Sequence, residues 1–313
     1  MSLFSGIGGF ELGFPASWKC VGFSEVDKYA SQIYLKHFSR HKQYGDITRI
    51  NTTGLCDFEL LCGGFPCQAF SIAGKRRGFN DTRGTLFFQI CRLAKDKTPR
   101  LLLLENVKGL LSHDRGRTFH TIIGSLDELG YDLQWQVLNS KDFEVPQNRE
   151  RVYIVGHLRG TRRPQVFPLT ESSAASADPL KGNEEEIAPC LCSAPGGPDI
   201  THLFVRVPEA TKKGYAEARP GQAINLALPR SKTRRGRVSD VAQTLDTGMQ
   251  QYTLTRDARL RRLTPTECER LQGFPDGWTR GISDTQRYKC LGNAVTVNVV
   301  KAIAKQLMAA LSN

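Results

Sequence analysis

A cysteine stands in the run Phe65-Pro66-Cys67-Gln68, directly after residues 58–61, whose apolar pattern is typical of a buried strand. The proline fixes its own φ angle and disfavours helix before it, so the turn presents the thiol in one direction. Sheets of this kind carry out chemistry at the carboxyl ends of their strands, and Cys67 is therefore a candidate nucleophile. An isolated cysteine is more often a small buried hydrophobe. The two glycines at 63 and 64 favour a backbone that wraps a ligand instead.

A second strand brings an acid to the same edge of the predicted sheet. Residues 100–104 are an arginine and four leucines, and Glu105-Asn106-Val107 follows them. A charge at the end of an apolar strand is costly unless it is used or paired, which makes Glu105 the first candidate acid. Further on, Gln147, Arg149 and Arg151 alternate, so that in one extended strand their side chains share a face. Two arginines and a glutamine can hold carbonyl and phosphate oxygens.

A glycine-rich turn near the amino terminus predicts a loop that binds a nucleotide or cofactor. Gly6, Gly8 and Gly9 follow a short apolar strand and open a helix, an arrangement that brings backbone N–H groups close to a ligand. Glu25 ends a second short strand, about twenty residues after the glycines, where an acid would bind a ribose hydroxyl. Asp46 follows as an acceptor for an adenine amino group or, alternatively, as a turn or helix cap.

The residues after Cys67 predict a loop that closes over a ligand. The stretch 71–79 is polar, basic and punctuated by glycine, and it is too irregular for a tight turn. Its three consecutive cations, Lys75, Arg76 and Arg77, suit phosphate groups, although a solvated run of charge is the alternative. A helix then begins near Thr85 with Leu86 on its inner side.

Composition limits the class of protein. The chain has 313 residues, 40% of them hydrophobic, and a formal charge of +12, which favours a polyanionic partner such as nucleic acid. Its nine cysteines include no CxxC pair, so neither a disulfide framework nor a metal site is predicted. The sequence has no apolar run of about 18 residues and no leader pattern, which predicts a cytoplasmic protein without a membrane span.

The second half of the chain changes character. Residues 170–199 are rich in Ser, Ala, Pro and Gly, and a domain boundary is expected there or just before. Between residues 206 and 237 nine basic residues stand against two acids, which favours a nucleic-acid surface over a merely solvated face. Thr264 and Glu267 then predict a capping box. A last helix is predicted over 295–311, with Asn293 at its amino end.

Taken in order, these motifs resemble those of the DNA cytosine-5 methyltransferases. The match covers nearly the whole chain except residues 163 to 256, and the succession of motifs makes it specific. The matching stretches are 4–9, Glu25, Asp46, 66–68, 105–107, 147–151, 262–275 and 292–295. The resemblance implies an α/β fold: a large Rossmann-like, S-adenosylmethionine-dependent methyltransferase domain (1–162 plus 290–313), with a smaller loop-rich and β-rich target-recognition domain and hinge (163–289).

The resemblance also implies roles for particular residues. Cys67 would add to C6 of cytosine, Glu105 would protonate or hydrogen-bond N3, and Arg151 would hold O2. Arg149 would support the pocket and Asn106 would orient the base. The implied contacts with S-adenosylmethionine are Phe4, Gly6, Gly8, Gly9, Glu25, Asp46, Ile47, Pro66, Leu86, Asn293 and Ala294. The implied contacts with DNA are Gln68, Ser71, Lys75, Arg76, Arg77, Gln147, Lys232, Arg234, Arg235 and Arg237.

The expected function is methyl transfer to a flipped-out cytosine in a specific double-stranded DNA sequence. A monomer that works beside a cognate restriction endonuclease would suit so compact an enzyme. A tRNA cytosine-5 methyltransferase is the alternative within the enzyme class, and the basic variable region argues against it. A catalytically inactive DNA-binding paralogue would have no need of Cys67, Glu105 and Arg151 together. A nicotinamide oxidoreductase would leave the Pro66-Cys67 motif unexplained.

Overall fold

The computed structural model describes residues 1–66, 86–169, 204–227, 237–248, 250–255 and 259–312. Two compact units are formed. Unit 1 comprises residues 1–139, 150–173 and 299–313, and unit 2 comprises residues 140–149 and 174–298. The predicted domain limits, 162/163 and 289/290, stay predictions.

Unit 1 is built on a six-stranded sheet with helices connecting its strands. The strand order is β2-β1-β3-β4-β7-β5. The first four of these run parallel, and β7 is antiparallel to both β4 and β5. The strands are β1 (Ser2–Leu3), β2 (Phe23–Ser24), β3 (Leu60–Gly64), β4 (Leu101–Val107), β5 (Tyr131–Asn139) and β7 (Glu150–Leu158). The helices are α1 (Gly9–Gly13), α2 (Lys28–His37), α3 (Leu86–Lys97), α4 (Arg117–Glu128) and α7 (Val297–Ser312, from Val299 in this unit).

The core of unit 1 follows from the apolar strand runs. All four leucines at 101–104 are buried, as expected of a strand covered on both faces. Strand β3 packs so closely on β1 that a Cβ at Gly63 would lie 2.5 Å from the carbonyl oxygen of Leu3. Glycine is therefore needed at 63 for close approach of the two strands.

The described residues of unit 2 form short strands, two α-helices and the first two residues of α7. Its four-stranded antiparallel sheet has the order β11-β10-β13-β14, and two-stranded pairs join β8 to β9 and β12 to β6. The strands are β6 (Gln147–Asn148), β8 (Val205–Pro208), β9 (Tyr215–Ala218), β10 (Ala223–Asn225), β11 (Arg237–Ser239), β12 (Ala242–Gln243), β13 (Gln251–Leu254) and β14 (Leu260–Arg262). The helices are α5 (Pro265–Leu271) and α6 (Asp284–Asn293). The predicted capping box of Thr264 and Glu267 is confirmed, with Pro265 in the first turn of α5.

The carboxyl-terminal region differs from the prediction. The last helix begins at Val297, and a separate helix, α6, precedes it and ends at Asn293. Asn293 therefore closes a helix instead of standing at the amino end of one. Only three of the ten residues of α6 are buried. A helix with so small a buried face has a weak apolar periodicity, so the sequence did not predict α6 as a separate helix.

Candidate active site

Glu105 and Arg151 form an ion pair at the carboxyl end of β4. Arg151 lies directly across from Val107 on the antiparallel strand β7, so Glu105, two residues back, is its diagonal neighbour on the same face. The Nε of Arg151 lies 3.0 Å from Oε1 of Glu105, and the two side chains are only 14% and 12% exposed. This contact restrains the orientation of the carboxylate. The acid and the arginine predicted to share the site do lie together.

Asn106 lies between Glu105 and Val107 on β4 and bonds to two backbone groups. Its predicted role in orienting the substrate base stays a prediction. Its side chain is buried, Nδ2 donates to the carbonyl of Phe65 at 2.8 Å, and Oδ1 accepts from the backbone N–H of Val107 at 2.8 Å. Asn106 therefore holds the end of β3 at the point where the chain enters Pro66, an exposed residue. Cys67, the next residue, lies outside the described residues.

The glycine turn has the strained backbone of a ligand loop. Phe4, a non-glycine residue, has φ +52°, and Gly6 and Gly8 have φ +56° and +87°. A Cβ at Gly8 would lie 2.5 Å from the ring of Phe38. Left-handed backbone at a bulky residue costs free energy and persists where the surroundings fix it, which is common at binding sites.

Glu25 fastens this turn to the second strand. Its Oε2 accepts from the backbone N–H of Gly6 at 2.8 Å, and its Oε1 accepts from Val26 and Asp27 at 2.9 and 2.8 Å. A carboxylate that binds three backbone N–H groups is held firmly in place. The turn and the acid that the sequence placed together are therefore one rigid assembly.

The remaining predicted cofactor residues of unit 1 differ in exposure. Asp46 caps a short 3₁₀ turn, Ile47–Arg49, by accepting from the N–H and hydroxyl of Thr48, both at 2.9 Å. These bonds lower the pKa of its carboxyl group. Ile47 is buried, whereas Leu86 is 36% exposed and does not face the core as predicted. An exposed side chain at the start of α3 is free to meet a ligand.

Gln147 and Arg149 do not share a strand face with Arg151. The chain leaves β6 after Asn148, and β7 begins at Glu150, so Gln147 and Arg149 belong to unit 2 and Arg151 to unit 1. Gln147 is fully buried; its Nε2 donates to the carbonyl of Leu271 at 2.7 Å and its Oε1 accepts from Leu245 N–H at 3.0 Å. The side chain is enclosed within unit 2, and the DNA contact predicted for Gln147 stays a prediction. Arg149 is likewise buried, bonded to backbone carbonyls of unit 2.

Other predicted contacts lie in unit 2 or outside the described residues. Asn293 is exposed at the end of α6, and Ala294 after it is buried. Arg237 is exposed at the start of β11. The predicted DNA contacts that lie outside the described residues are Gln68, Ser71, Lys75, Arg76, Arg77, Lys232, Arg234 and Arg235. Among the described residues, no cluster of three metal-binding side chains occurs, and no helix is long and apolar enough to cross a membrane.

A cavity of about 560 Å³ lies at the amino ends of β3 and β4. It is lined by Leu60 and Leu101, which begin β3 and β4, and by Glu11. The Tyr34 hydroxyl donates to Glu11 at 2.9 Å, and burial raises the pKa of the Glu11 carboxyl group. Glu105 stands at the opposite end of β4, so this cavity is separate from the ion pair.

Two structural features, one in each unit, were missed from the sequence. Val26, between Glu25 and Asp27, is a large apolar side chain that is 72% exposed. Gly292 packs against the backbone of Asp246. The valine could have been noticed as the one apolar residue between two acids, but nothing local to Gly292 indicates its distant neighbour.

The comparisons with known proteins identify the class. A family model described as C-5 cytosine-specific DNA methylase matches residues 1–309. The chain belongs to this family, and it is an enzyme that transfers a methyl group to C5 of cytosine in DNA. Membership implies S-adenosylmethionine as the methyl donor.

Type II methyltransferases align with this chain over its whole length. The chain is 38% identical to the Type II methyltransferase M.SsoII of Shigella sonnei, over 100% of this chain and 80% of that enzyme. It is 38% identical to M.NlaX of Neisseria lactamica (100% and 96%) and 34% identical to M.HhaI of Haemophilus parahaemolyticus (100% and 94%).

Solved structures share the fold. A putative DNA modification methyltransferase encoded within an E. coli prophage superposes with a TM-score of 0.65 at 19% identity, covering 100% of this chain and 99% of that one. The Dnmt2 methyltransferase of S. pombe gives 0.61 at 18% identity, covering 100% and 98%. The expected α/β methyltransferase fold is confirmed.

Proposed function

We propose that this chain methylates one cytosine within a specific double-stranded DNA sequence, through a covalent bond between Cys67 and C6 of the flipped-out base. The observation that carries the proposal is the pairing of Glu105 with Arg151 at 3.0 Å. The pair stands at the end of β4, and β4 is hydrogen-bonded to β3, the strand that leads into Pro66 and Cys67. The acid Glu105, the cytosine-binding cation Arg151 and the nucleophile Cys67 then come from neighbouring strand ends.

Cytosine C5 is too weak a nucleophile to take a methyl group unaided, and the three residues overcome this. The Cys67 thiolate adds to C6, and the electron pair displaced from the C5–C6 bond moves through the ring toward N3. Glu105 protonates or hydrogen-bonds N3, which makes C5 an enamine carbon, and Arg151 binds O2. After C5 is methylated, a base removes the C5 proton, and the C6–sulfur bond breaks to release Cys67. The bound cofactor supplies the electrophilic methyl group.

The glycine turn and its neighbours fit S-adenosylmethionine. The left-handed backbone at Phe4 and Gly6 shapes a tight turn that is bonded to the carboxylate of Glu25 through Gly6 N–H. Val26 presents an apolar surface to an adenine ring, and the Asp46 carboxylate can accept from its amino group. We assign the other predicted contacts, Gly8, Gly9, Ile47, Pro66, Leu86, Asn293 and Ala294, to the same cofactor by resemblance.

Residues 163–289 are proposed to recognise the target sequence, with the basic residues 232–237 on phosphates. Phosphate contacts fix the register of a protein on DNA, whereas base edges supply specificity. The target base must leave the helix, because its ring atoms cannot be reached inside a duplex. We further propose a cytoplasmic monomer that acts alongside a cognate restriction endonuclease.

Bisulfite sequencing of plasmid DNA tests the function. DNA from cells that express the chain is expected to contain 5-methylcytosine at one position of one short sequence, and DNA from cells expressing Cys67→Ala is not. Methylated tRNA together with unmodified plasmid would instead support the tRNA enzyme. No modified cytosine in either nucleic acid would contradict the proposed function.

Exchange of residues 163–256 with the corresponding stretch of a related enzyme is expected to transfer the target sequence. The proposed catalytic residues lie outside this stretch, and Arg149 contacts it through the backbone carbonyl of Leu245, which any replacement residue also provides. Bisulfite sequencing of plasmid from cells with the exchanged protein reads out the result. Methylation of the original sequence by an active exchanged protein would assign recognition elsewhere.

A further inference from the structure

Arg149 joins three parts of unit 2 that are far apart in the sequence. Its Nη1 donates to the carbonyl of Leu245 at 3.1 Å. Its Nη2 donates to the carbonyls of Gly292 and Ala294 at 3.1 and 2.8 Å. Because the guanidinium is buried and planar, its two ends hold the Leu245 segment and the end of α6 at a fixed separation.

The segment before Leu245 is fastened to the residues beside Arg149. Strand β12 pairs in parallel with β6, with Ala242 opposite Gln147. The hydroxyl of Thr244 donates to the carbonyl of Asn148 at 2.8 Å, and Leu245 N–H donates to Oε1 of Gln147 at 3.0 Å. Residues 242–245 are therefore held to residues 147–149, the stretch of chain that continues directly into β7 and Arg151.

Gly292 makes the second side of this joint. A Cβ at Gly292 would lie 2.7 Å from the carbonyl carbon and oxygen of Asp246 and 2.9 Å from the N of Thr247. These are backbone atoms, so an added methyl group cannot be accommodated by a side-chain rotation. Glycine at 292 is required because the backbone of residues 246–247 crosses α6 there.

Beyond the joint, the chain turns outward in an ordered way. Leu245 is buried, whereas Thr247 and Gly248 are exposed. The carboxylate of Asp246 accepts from Gly248 N–H at 3.0 Å, and Gln250 Nε2 donates to the Gly248 carbonyl at 3.2 Å. Residues 246–248, here called the outer turn, thus form a small hydrogen-bonded turn directly after the buried residue Leu245.

We propose that Arg149 is a positioning residue that sets the outer turn against DNA, so that target discrimination depends on its guanidinium. This inference rests on the proposed function of residues 163–289 in target recognition. The three carbonyls that Arg149 binds all belong to unit 2, and the support of the base pocket predicted for Arg149 stays a prediction. A loop held at a fixed place rejects a wrong base pair, whereas a loop that shifts can adapt to it.

The test compares Arg149→Lys with the wild type in binding two duplexes by fluorescence anisotropy. One duplex carries the sequence that bisulfite sequencing identifies, and the other differs from it by one base pair. A changed pair typically costs a specific protein about 5- to 150-fold in affinity. Lysine keeps the charge but cannot donate to Leu245 and to the end of α6 in one planar fork. Discrimination is expected to fall about tenfold, with binding to unrelated DNA and its salt dependence unchanged.

Arg287→Lys is the matched control. Arg287 is 13% exposed and binds Thr279, Glu269 and Asp284 of the same unit, and it makes none of the contacts at the Arg149 joint. This variant is expected to lower the melting temperature while the discrimination ratio stays at the wild-type value. Gly292→Ala, which displaces the outer turn without changing any charge, is expected to lose discrimination as Arg149→Lys does.

Two results would overturn the inference. One is a wild-type discrimination ratio in folded Arg149→Lys, whatever its melting temperature and whatever Gly292→Ala does. The other is an equal loss of discrimination in Arg287→Lys, which would make the effect one of general stability. Failure of the proposed function looks different, because the wild-type protein would then produce no modified cytosine in plasmid DNA.

Discussion

Cys67→Ala is expected to abolish methyl transfer while binding of S-adenosylmethionine and DNA persists. The substitution removes the nucleophile and little volume, so the fold and the neighbouring contacts of Pro66 and Phe65 are retained. Without the bond to C6, C5 has no route to enamine character, and the residual rate should be below detection. Transfer of labelled methyl groups into plasmid DNA measures the activity, and equilibrium binding of S-adenosylhomocysteine measures the intact cofactor site.

The wild-type enzyme is expected to be trapped on DNA that carries 5-fluorocytosine at the target. Fluorine at C5 cannot leave as a proton, so the bond between Cys67 and C6 persists after methylation and survives SDS. The adduct should require the cofactor and should be absent from Cys67→Ala. An enzyme that methylates normal DNA but forms no such adduct would contradict the covalent mechanism.

Glu105→Gln is expected to slow methyl transfer by about 10² or more, with little change in melting temperature. Glutamine is nearly isosteric and can still accept from Arg151 through its amide oxygen, so the pairing across β4 and β7 survives. It cannot transfer a proton to N3, and the loss therefore falls on the chemical step. Single-turnover kinetics with saturating DNA separate that step from binding.

Glu150→Gln serves as the control for Glu105→Gln. Glu150 lies on β7 next to Arg151 and pairs with Lys108 at 2.7 Å, but both side chains are about half exposed (43% and 54%). Exposed pairs contribute little, so this variant should keep both rate and stability. If Glu105→Gln lowered the melting temperature strongly and the rate only slightly, Glu105 would be a structural residue.

Much of the scaffold could be predicted from local sequence. The leucine run 101–104 and the capping box at Thr264 each depend on residues within a few positions, and each is present. The order of short motifs also predicted the family, because each motif is a short stretch of sequence that can be recognised without the structure. The cytosine-specific DNA methylase match over residues 1–309 confirms that prediction.

The pairing of Glu105 with Arg151 was predicted only in part. The sequence placed both residues at strand ends, where charges are costly unless paired or used. Their contact depends on the register of β4 with β7, which puts Arg151 opposite Val107. A shift of one residue would turn one of the two side chains to the other face of the sheet.

The tertiary structure alone gave the placement and contacts of Asn106, Gln147, Arg149 and Asn293. The alternation of Gln147, Arg149 and Arg151 indicated one strand, but the chain passes from unit 2 to unit 1 after Arg149. The partners of Arg149 lie 96 to 145 positions away along the chain. Local patterns reveal periodicity and caps because those depend on neighbours in sequence. A buried polar side chain is instead satisfied by whichever backbone groups the completed fold brings to it, and no spacing in the sequence specifies those.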